Sequence, residues 1–144
     1  MYAGAHAQSR VNRPAFIMAN TGEVVTYGEL EARSNRLAHF LRGAGLKRLE
    51  HYAIFMENNA RYVECCAAGE RSGLYYTCVN SFLTADEVAY IVNNSESRVL
   101  IFSEQQRDVS LEALEHCPAV EVAVVVDGPG AGTRVLNLDE ATKA

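Results

Sequence analysis

The chain has 144 residues, of which 49% are hydrophobic and 22% are charged, and its formal net charge is -5. This length and composition predict one globular domain with a real hydrophobic core. The acidic balance excludes nucleic acid as a partner, which needs a basic surface, and no apolar run approaches the roughly 18 residues of a membrane span.

The first predicted elements are a short β-hairpin and a helix. Residues 15–19 and 24–26 flank a glycine-containing turn, which is typical of a hairpin. Thr26 and Glu29 have the spacing of a capping box, in which two side chains satisfy the free backbone donors of a helix start. Apolar residues at helical spacing follow, and Gly43 and Gly45 are expected to end the helix.

Four apolar runs then alternate with segments of helical pattern. The runs, which predict strands, are residues 52–56, 74–79, 98–102 and 121–126. The helices between them are expected to begin at caps formed by Asn58 or Asn59, by Thr84 with Glu87, and by Ser103 with Gln106. The predicted fold is therefore α/β: a mainly parallel sheet with flanking helices, built from βαβ units and preceded by the hairpin.

The segment 127–144 is glycine-rich at first and then mixed, and is expected to be a linker or an incomplete element. Its glycines follow a strand, as those of a phosphate-binding loop would. However, Pro129 has no N–H to offer a phosphate, and Thr133 stands where a dinucleotide fingerprint needs glycine. A surface turn is the favoured interpretation.

Few side chains suggest chemistry. The four histidines lack metal-ligand spacing, and the four cysteines are expected to be small buried residues of a reducing compartment. The adjacent acids Asp86 and Glu87 fall in the first turn of a predicted helix, where negative charge is stabilising. Residues 1–13 contain no apolar signal segment, so we expect a cytoplasmic protein.

Two groups of residues leave a ligand-binding role open. Residues 56–59 and the pair Asn80 and Ser81 follow strands, and ligands of open parallel sheets bind beyond the carboxyl ends of strands. Turn formation and helix capping account for both groups without a ligand. At most one of Tyr75 and Tyr76 can face an acyl chain, because neighbours on a strand point to opposite faces, and core packing is the expected role.

The sequence resembles the N-terminal region of the adenylate-forming acyl-CoA synthetases. The motifs that carry the resemblance are Val-Thr-Tyr-Gly-Glu-Leu at 25–30 and Asn-Ser-Phe-Leu-Thr-Ala-Asp-Glu-Val-Ala-Tyr-Ile at 80–91. Tyr75, Tyr76 and Asn80 make it most similar to the fatty-acyl-CoA ligases. Two positions depart from the family pattern. Cys78 stands where proline is common, and Leu49-Glu50 stands where many members have Gly-Asp.

The resemblance implies that residues 1–144 are the N-terminal subdomain of a larger adenylate-forming domain. The full-length parent would activate a fatty acid with Mg-ATP, form an acyl-adenylate and transfer the acyl group to coenzyme A. The family's phosphate loop, adenine-binding segment, ribose ligand and C-terminal lysine are not found in this chain. The resemblance therefore assigns no catalytic, cofactor-binding or metal-binding residue here, and the chain alone is expected to be inactive.

The expected partner is the remainder of the parent ligase. Without it, the chain is expected to self-associate as a homo-oligomer, to form a swapped arrangement or to be poorly soluble. Two other readings stay open. The second hypothesis is that the chain is a natural short α/β binding or regulatory module without catalysis. A stand-alone nucleotide-binding domain is disfavoured because the phosphate loop is missing.

Overall fold

The computed structural model describes residues 3–143, which form two sheets and five α-helices within that range. The strands are β1 (Pro14–Ile17), β2 (Val24–Thr26), β3 (His51–Phe55), β4 (Tyr75–Val79), β5 (Ser97–Ser103), β6 (Val122–Val126) and β7 (Val135–Asn137). The helices are α1 (Tyr27–Gly43), α2 (Tyr62–Ser72), α3 (Ala85–Asn94), α4 (Arg107–Leu114) and α5 (Leu138–Ala141). Between residues 3 and 143, no helix combines the length and the apolar character that a bilayer span needs.

The main sheet is parallel throughout, which confirms the predicted α/β fold. Its strand order is β4-β3-β5-β6-β7, and each neighbouring pair runs parallel. Strands β1 and β2 pair separately as the predicted antiparallel hairpin. Strand β3 lies between β4 and β5, so the chain moves outward on one side of β3 and then returns to the other side.

The core fills both faces of this sheet. One apolar cluster joins Ala53 and Phe55 of β3 to residues of α3 and α4. A second cluster joins Tyr52 and Ile54 to residues of α1 and α2. Because successive strand residues point to opposite faces and both faces are covered, the central strands are continuously apolar and do not alternate.

Strand β4 is an edge strand, and this changes the role of its two tyrosines. Tyr76 packs against the cluster on the α1–α2 side, so the expected core packing is confirmed for that residue. The same expectation is wrong for Tyr75, which is 54% exposed and stacks on His51 with ring centroids 5.0 Å apart. An edge strand has a neighbour on one side only, and its side chains are covered less completely.

Two of the predicted N-terminal caps form, one as a complete capping box and one in part. The Thr84 hydroxyl accepts from the Glu87 backbone N–H, and the Glu87 carboxylate accepts from the Thr84 N–H, which completes a capping box at the start of α3. The Thr26 hydroxyl accepts from the Glu29 N–H at 3.1 Å and caps α1, but the Glu29 carboxylate accepts from the Thr26 hydroxyl, so only half of the predicted capping box forms. Both helices begin where the sequence predicts.

The other two predicted caps are wrong, because the side chains bond elsewhere. Ser103 precedes a 3-10 turn without capping it, and its hydroxyl donates instead to Glu57 at 2.6 Å. Asn59 accepts from the Arg61 N–H at 2.9 Å within a turn, and α2 begins later, at Tyr62, with no side-chain cap.

The segment after β6 contains regular structure. A turn of residues 127–134 leads into β7, which lies parallel to β6 at the edge of the sheet, and α5 follows. The turn precedes a strand and not a helix, so the surface-turn interpretation is confirmed over a phosphate-binding loop. The Arg134 guanidinium fastens the turn by donating to the carbonyl oxygens of Val120 and Cys117, at 2.9 and 2.7 Å.

Candidate functional site

A polar concave surface lies at the carboxyl ends of the central strands. The chain leaves β3 toward β4 on one side and returns to β5 on the other, which is the switch point where open parallel sheets bind ligands. A cleft of about 380 Å³ opens there between the hairpin turn and the β3–α2 loop. We call it the carboxyl-edge cleft; its polar walls include Asn20, Arg33, Glu57, Asn59, Arg61 and Asp127.

Glu57, which follows β3 directly after Met56, forms the floor contact between β3 and β5. Its carboxylate accepts from the Ser103 hydroxyl at 2.6 Å and from the Asn59 side-chain amide at 3.4 Å. Ser103 is the last residue of β5 and is buried. The Glu57 carboxylate is therefore hydrogen-bonded to the Ser103 hydroxyl and the Asn59 amide, and its bond to Ser103 links the ends of β3 and β5.

Arg61 organises the wall of the cleft. Its guanidinium donates to Glu64 at 2.7 Å and to Asp139 of α5 at 2.8 Å, and its Nη1 lies 4.0 Å from Asp127. Glu64 is only 3% exposed, so its charge depends on Arg61 for compensation. Burial raises the pKa of Glu64 against the opposing effect of Arg61, and the hydrogen bond from Arg61 lowers the pKa of Asp139.

Arg33 of α1 reaches the same cleft from the opposite side. Its Nη2 pairs with Glu29 at 3.2 Å, and its Nη1 lies 4.0 Å from the Glu64 carboxylate, beyond hydrogen-bond distance. That buried Nη1 makes no hydrogen bond within the described structure. The cleft therefore presents two guanidinium groups that share one buried carboxylate.

A second pocket of about 480 Å³, which we call the β3–β4 pocket, lies beside the cleft at the carboxyl ends of β3 and β4. Tyr62, Cys78, Asn80, Ser81 and Phe82 are among its walls. The Asn80 side chain accepts from the Phe82 N–H at 2.9 Å, so turn formation accounts for Asn80 as the sequence predicts. Phe82 is 94% exposed, and this pocket is consequently more apolar than the carboxyl-edge cleft.

The acidic pair and the cysteines considered in the sequence analysis are accounted for by helix capping or by packing. Glu87 serves the capping box and Asp86 lies beside it in the first turn of α3. Among the cysteines, Cys65 and Cys117 are buried as expected, but Cys78 is exposed, so that expectation is wrong for Cys78. Cys78 lies on the edge strand, where a small apolar side chain remains open to solvent.

The ion-pair cluster around Arg61 is the part of the site that sequence reasoning missed. Arg61 and Glu64 are three residues apart, which is a recognisable helix pairing. Asp139 lies 78 positions away from Arg61, and no local pattern indicates their contact. Only the arrangement of β7 and α5 beside α2 brings the two together.

The charged side chains at this edge mainly contact one another. Catalysis of phosphoryl or acyl transfer needs positive charge and donors aimed at a reacting centre. The guanidinium of Arg61 and the carboxylates of Glu57 and Asp139 are instead directed at each other or at neighbouring side chains. Within residues 3–143, no group of three or more potential ligands is placed to hold a metal ion, and these residues do not fit a magnesium site.

Comparison with known proteins places this architecture among larger enzymes. The family model described as AMP-binding enzyme matches residues 4–143. A 3-oxocholest-4-en-26-oate–CoA ligase of Rhodococcus rhodochrous is 34% identical over 76% of this chain and 20% of its own length. A long-chain-fatty-acid–CoA ligase of Salmonella typhimurium is 35% identical over 67% of this chain and 17% of its own length.

The fold is also found in solved structures. A crystal structure of the anthranilate–CoA ligase AuaEII with anthranoyl-AMP matches with a TM-score of 0.88 at 20% identity. The match covers 98% of this chain and 27% of that protein. The chain therefore spans about a fifth to a quarter of the length of the proteins it matches.

Proposed function

This chain belongs to the AMP-binding enzyme family, and from that premise we propose that it is the N-terminal portion of an ATP-dependent fatty-acid–CoA ligase. The complete enzyme would join a fatty acid to AMP and then transfer the acyl group to the thiol of coenzyme A. The observation that carries the proposal is the family match over nearly the whole chain, combined with matched relatives that are about four times as long as this chain.

The proposed substrate is a long, apolar carboxylic acid. Two relatives of similar identity are a long-chain-fatty-acid–CoA ligase and a sterol-acid–CoA ligase, both named for bulky hydrophobic acids. The β3–β4 pocket supports this choice, because its walls include the exposed ring of Phe82. A cytoplasmic location is part of the proposal, supported by four cysteines that are all free thiols.

In this proposal the chain contributes a structural and binding surface, and the reacting groups belong to the rest of the enzyme. ATP with magnesium would supply the adenylyl group, and coenzyme A the acceptor thiol. The carboxyl-edge cleft would face these parts, because the carboxyl ends of parallel strands are the side on which such folds bind their ligands. The ion pairs of Arg61 would hold that edge in a fixed shape.

The first test uses the 144-residue chain alone. We expect no acid-dependent exchange of labelled pyrophosphate into ATP, because the chain has no phosphate loop and the Arg61 guanidinium is engaged by Glu64 and Asp139. Exchange by the pure chain at a rate above that of a heat-denatured control would refute this part of the proposal.

The second test uses the complete product of the reading frame that encodes the chain. We expect pyrophosphate exchange and coenzyme A thioester formation with a long-chain fatty acid, at a higher kcat/KM than with a sterol carboxylate or with anthranilate. A preference for the aromatic acid would contradict the fatty-acid proposal while leaving the ligase family intact. A reading frame that ends at residue 144 would favour a binding or regulatory module without catalysis.

A further inference from the structure

Strand β4 leaves one edge of the main sheet open. The Tyr75 N–H donates to the Glu50 carbonyl oxygen at 2.9 Å, so the backbone groups of Tyr75 are directed toward β3. In a parallel ladder these groups alternate between the two sides of a strand, and Thr77 therefore also bonds to β3. The N–H and C=O groups of Tyr76 and Cys78 point the other way, where no further strand lies within residues 3–143.

This strand lacks the features that usually protect an open edge. Its sequence, Tyr-Tyr-Thr-Cys-Val, contains no charged residue and no proline, and its pairing with β3 continues without a bulge. Aromatic and β-branched residues favour strands. Tyr75 is half-exposed and Cys78 is exposed, so the edge is accessible from solvent.

The other sheet edges are covered or interrupted. At β7, the Val135 C=O accepts from the Ala131 N–H at 2.9 Å, and the Val135 N–H donates to the Ala131 carbonyl oxygen at 3.2 Å. The turn before β7 therefore occupies the outer side of that strand. In the hairpin, β1 begins with Pro14, and its pairing with β2 is irregular between Pro14 and Phe16. Proline and irregular pairing oppose the addition of a strand.

We propose that β4 is a dimerisation edge, at which two copies of this chain pair antiparallel about a two-fold axis at Thr77. With the two Thr77 residues opposite each other, Tyr76 of one copy lies opposite Cys78 of the other. Both residues have outward-pointing backbone groups, so each of the two symmetric pairs exchanges two hydrogen bonds. The interface is closed, because the same edge is used by both copies.

The side chains of β4 suit a second copy of the same strand. In this register Tyr75 lies opposite Val79, which is an aromatic and β-branched pair, and the two threonines face each other. Because the strand carries no charge, pairing it with itself places no like charges opposite each other. This inference does not depend on the proposed ligase function.

Sedimentation velocity of the 144-residue chain in reducing buffer, over a hundredfold range of concentration, tests the proposal. We expect a reversible equilibrium between monomer and dimer. Cys78→Pro removes the outward N–H of residue 78 from each copy and leaves the bonds to β3, which come from its neighbours. Two of the four intermolecular hydrogen bonds are then lost, so the dimer should weaken at least roughly 30-fold, which corresponds to about 2 kcal/mol.

Cys78→Ala is the matched control, because it changes the side chain and keeps the N–H. It should dimerise as the wild type does. A wild type that is monomeric over the whole range would overturn the proposal. So would a folded Cys78→Pro that dimerises as tightly as the wild type, or a loss of the dimer in Cys78→Ala.

Amide hydrogen exchange of the wild type tests the same register without a substitution, and it decides the matter if Cys78→Pro does not fold. The Tyr76 and Cys78 amides should become protected as the concentration rises. The Thr77 amide bonds to β3 and should be protected at every concentration. A dimer in which the Tyr76 and Cys78 amides exchange as fast as in the monomer would refute the inference.

Discussion

Replacing Gly69 with alanine is expected to destabilise the protein by about 1–2 kcal/mol, although alanine is normally the better helix residue. Gly69 lies on α2 and is buried against Tyr52 of β3. A β-carbon at this position would lie 2.5 Å from the Tyr52 hydroxyl oxygen, 2.9 Å from Tyr76 Cδ1 and 3.0 Å from Tyr52 Cε1. All three distances are shorter than the roughly 3.5–4.0 Å at which carbon atoms attract each other.

The magnitude follows from two opposing effects. Overpacking in a filled core costs about 1–3 kcal/mol, and the change from glycine to alanine within a helix recovers up to about 1 kcal/mol. Tyr52 has no free space to move into, because it is fully buried and its hydroxyl donates to the Cys65 carbonyl. A shift of the ring would weaken that hydrogen bond, which contributes about 1 kcal/mol. The cost is therefore expected to exceed the gain.

Urea unfolding at neutral pH measures this difference, and Gly43→Ala is the matched control. Gly43 ends α1, and a β-carbon there would meet no atom within 4 Å, so this variant should be neutral or more stable by up to about 1 kcal/mol. The m-values should stay equal, so that midpoints compare directly. If Gly69→Ala were as stable as Gly43→Ala, the steric reasoning would be wrong. Adding Tyr52→Phe to Gly69→Ala should reduce the penalty, because it removes the atom of closest approach.

Three other outcomes are expected. Leu49 has a φ of 71°, which strains the backbone of any residue except glycine, and its side chain is 58% exposed. Leu49→Gly should therefore raise the free energy of unfolding, measured in urea, by about 0.5–1 kcal/mol. An unchanged or lower value would show that the backbone at Leu49 is not strained. The hydrogen bond from Arg71, at 2.6 Å, lowers the pKa of Glu31. Glu31→Gln should therefore lower the unfolding free energy by about 1 kcal/mol at pH 7, and by less as the pH falls below 4.5 and wild-type Glu31 takes up a proton. A difference that does not change with pH would refute this. The exposed Phe82 ring is expected to promote self-association, so Phe82→Ser should reduce the apparent mass measured by light scattering at micromolar concentration. A wild-type protein that is monomeric and binds no hydrophobic dye would contradict this expectation.

The sequence predicts the sheet because its signals are local and repeated. Continuous apolar runs identify β3, β5 and β6, since these strands are covered on both faces. Thr84 and Glu87 predict the start of α3 because both members of the capping box belong to the same helical turn. In each case, the residues that determine the element lie within about ten positions of one another.

The failures have the opposite cause. Ser103 has the spacing of a cap, but Glu57 from a neighbouring strand end takes its hydroxyl, 46 positions away. Asp139 pairs with Arg61 only because α5 lies near α2. Tyr75 is exposed because β4 is an edge strand, and strand order is not visible in a list of apolar runs. The contacts of the candidate site are mostly of this long-range kind, so the sequence indicates its location at the sheet edge but not its ion pairs.

The attachment of β7 has a consequence for amide hydrogen exchange. This strand has three residues and one neighbour, and the turn before it is fastened by Arg134. Such a segment opens without global unfolding, and α5 would leave with it, since it begins at the next residue. Opening would then take Asp139 away from Arg61, so the same fluctuation removes one ion pair from the carboxyl-edge cleft. Any molecule that fills this cleft and needs the closed arrangement would slow exchange of the β7 amides, which makes this edge strand a natural reporter of cleft occupancy.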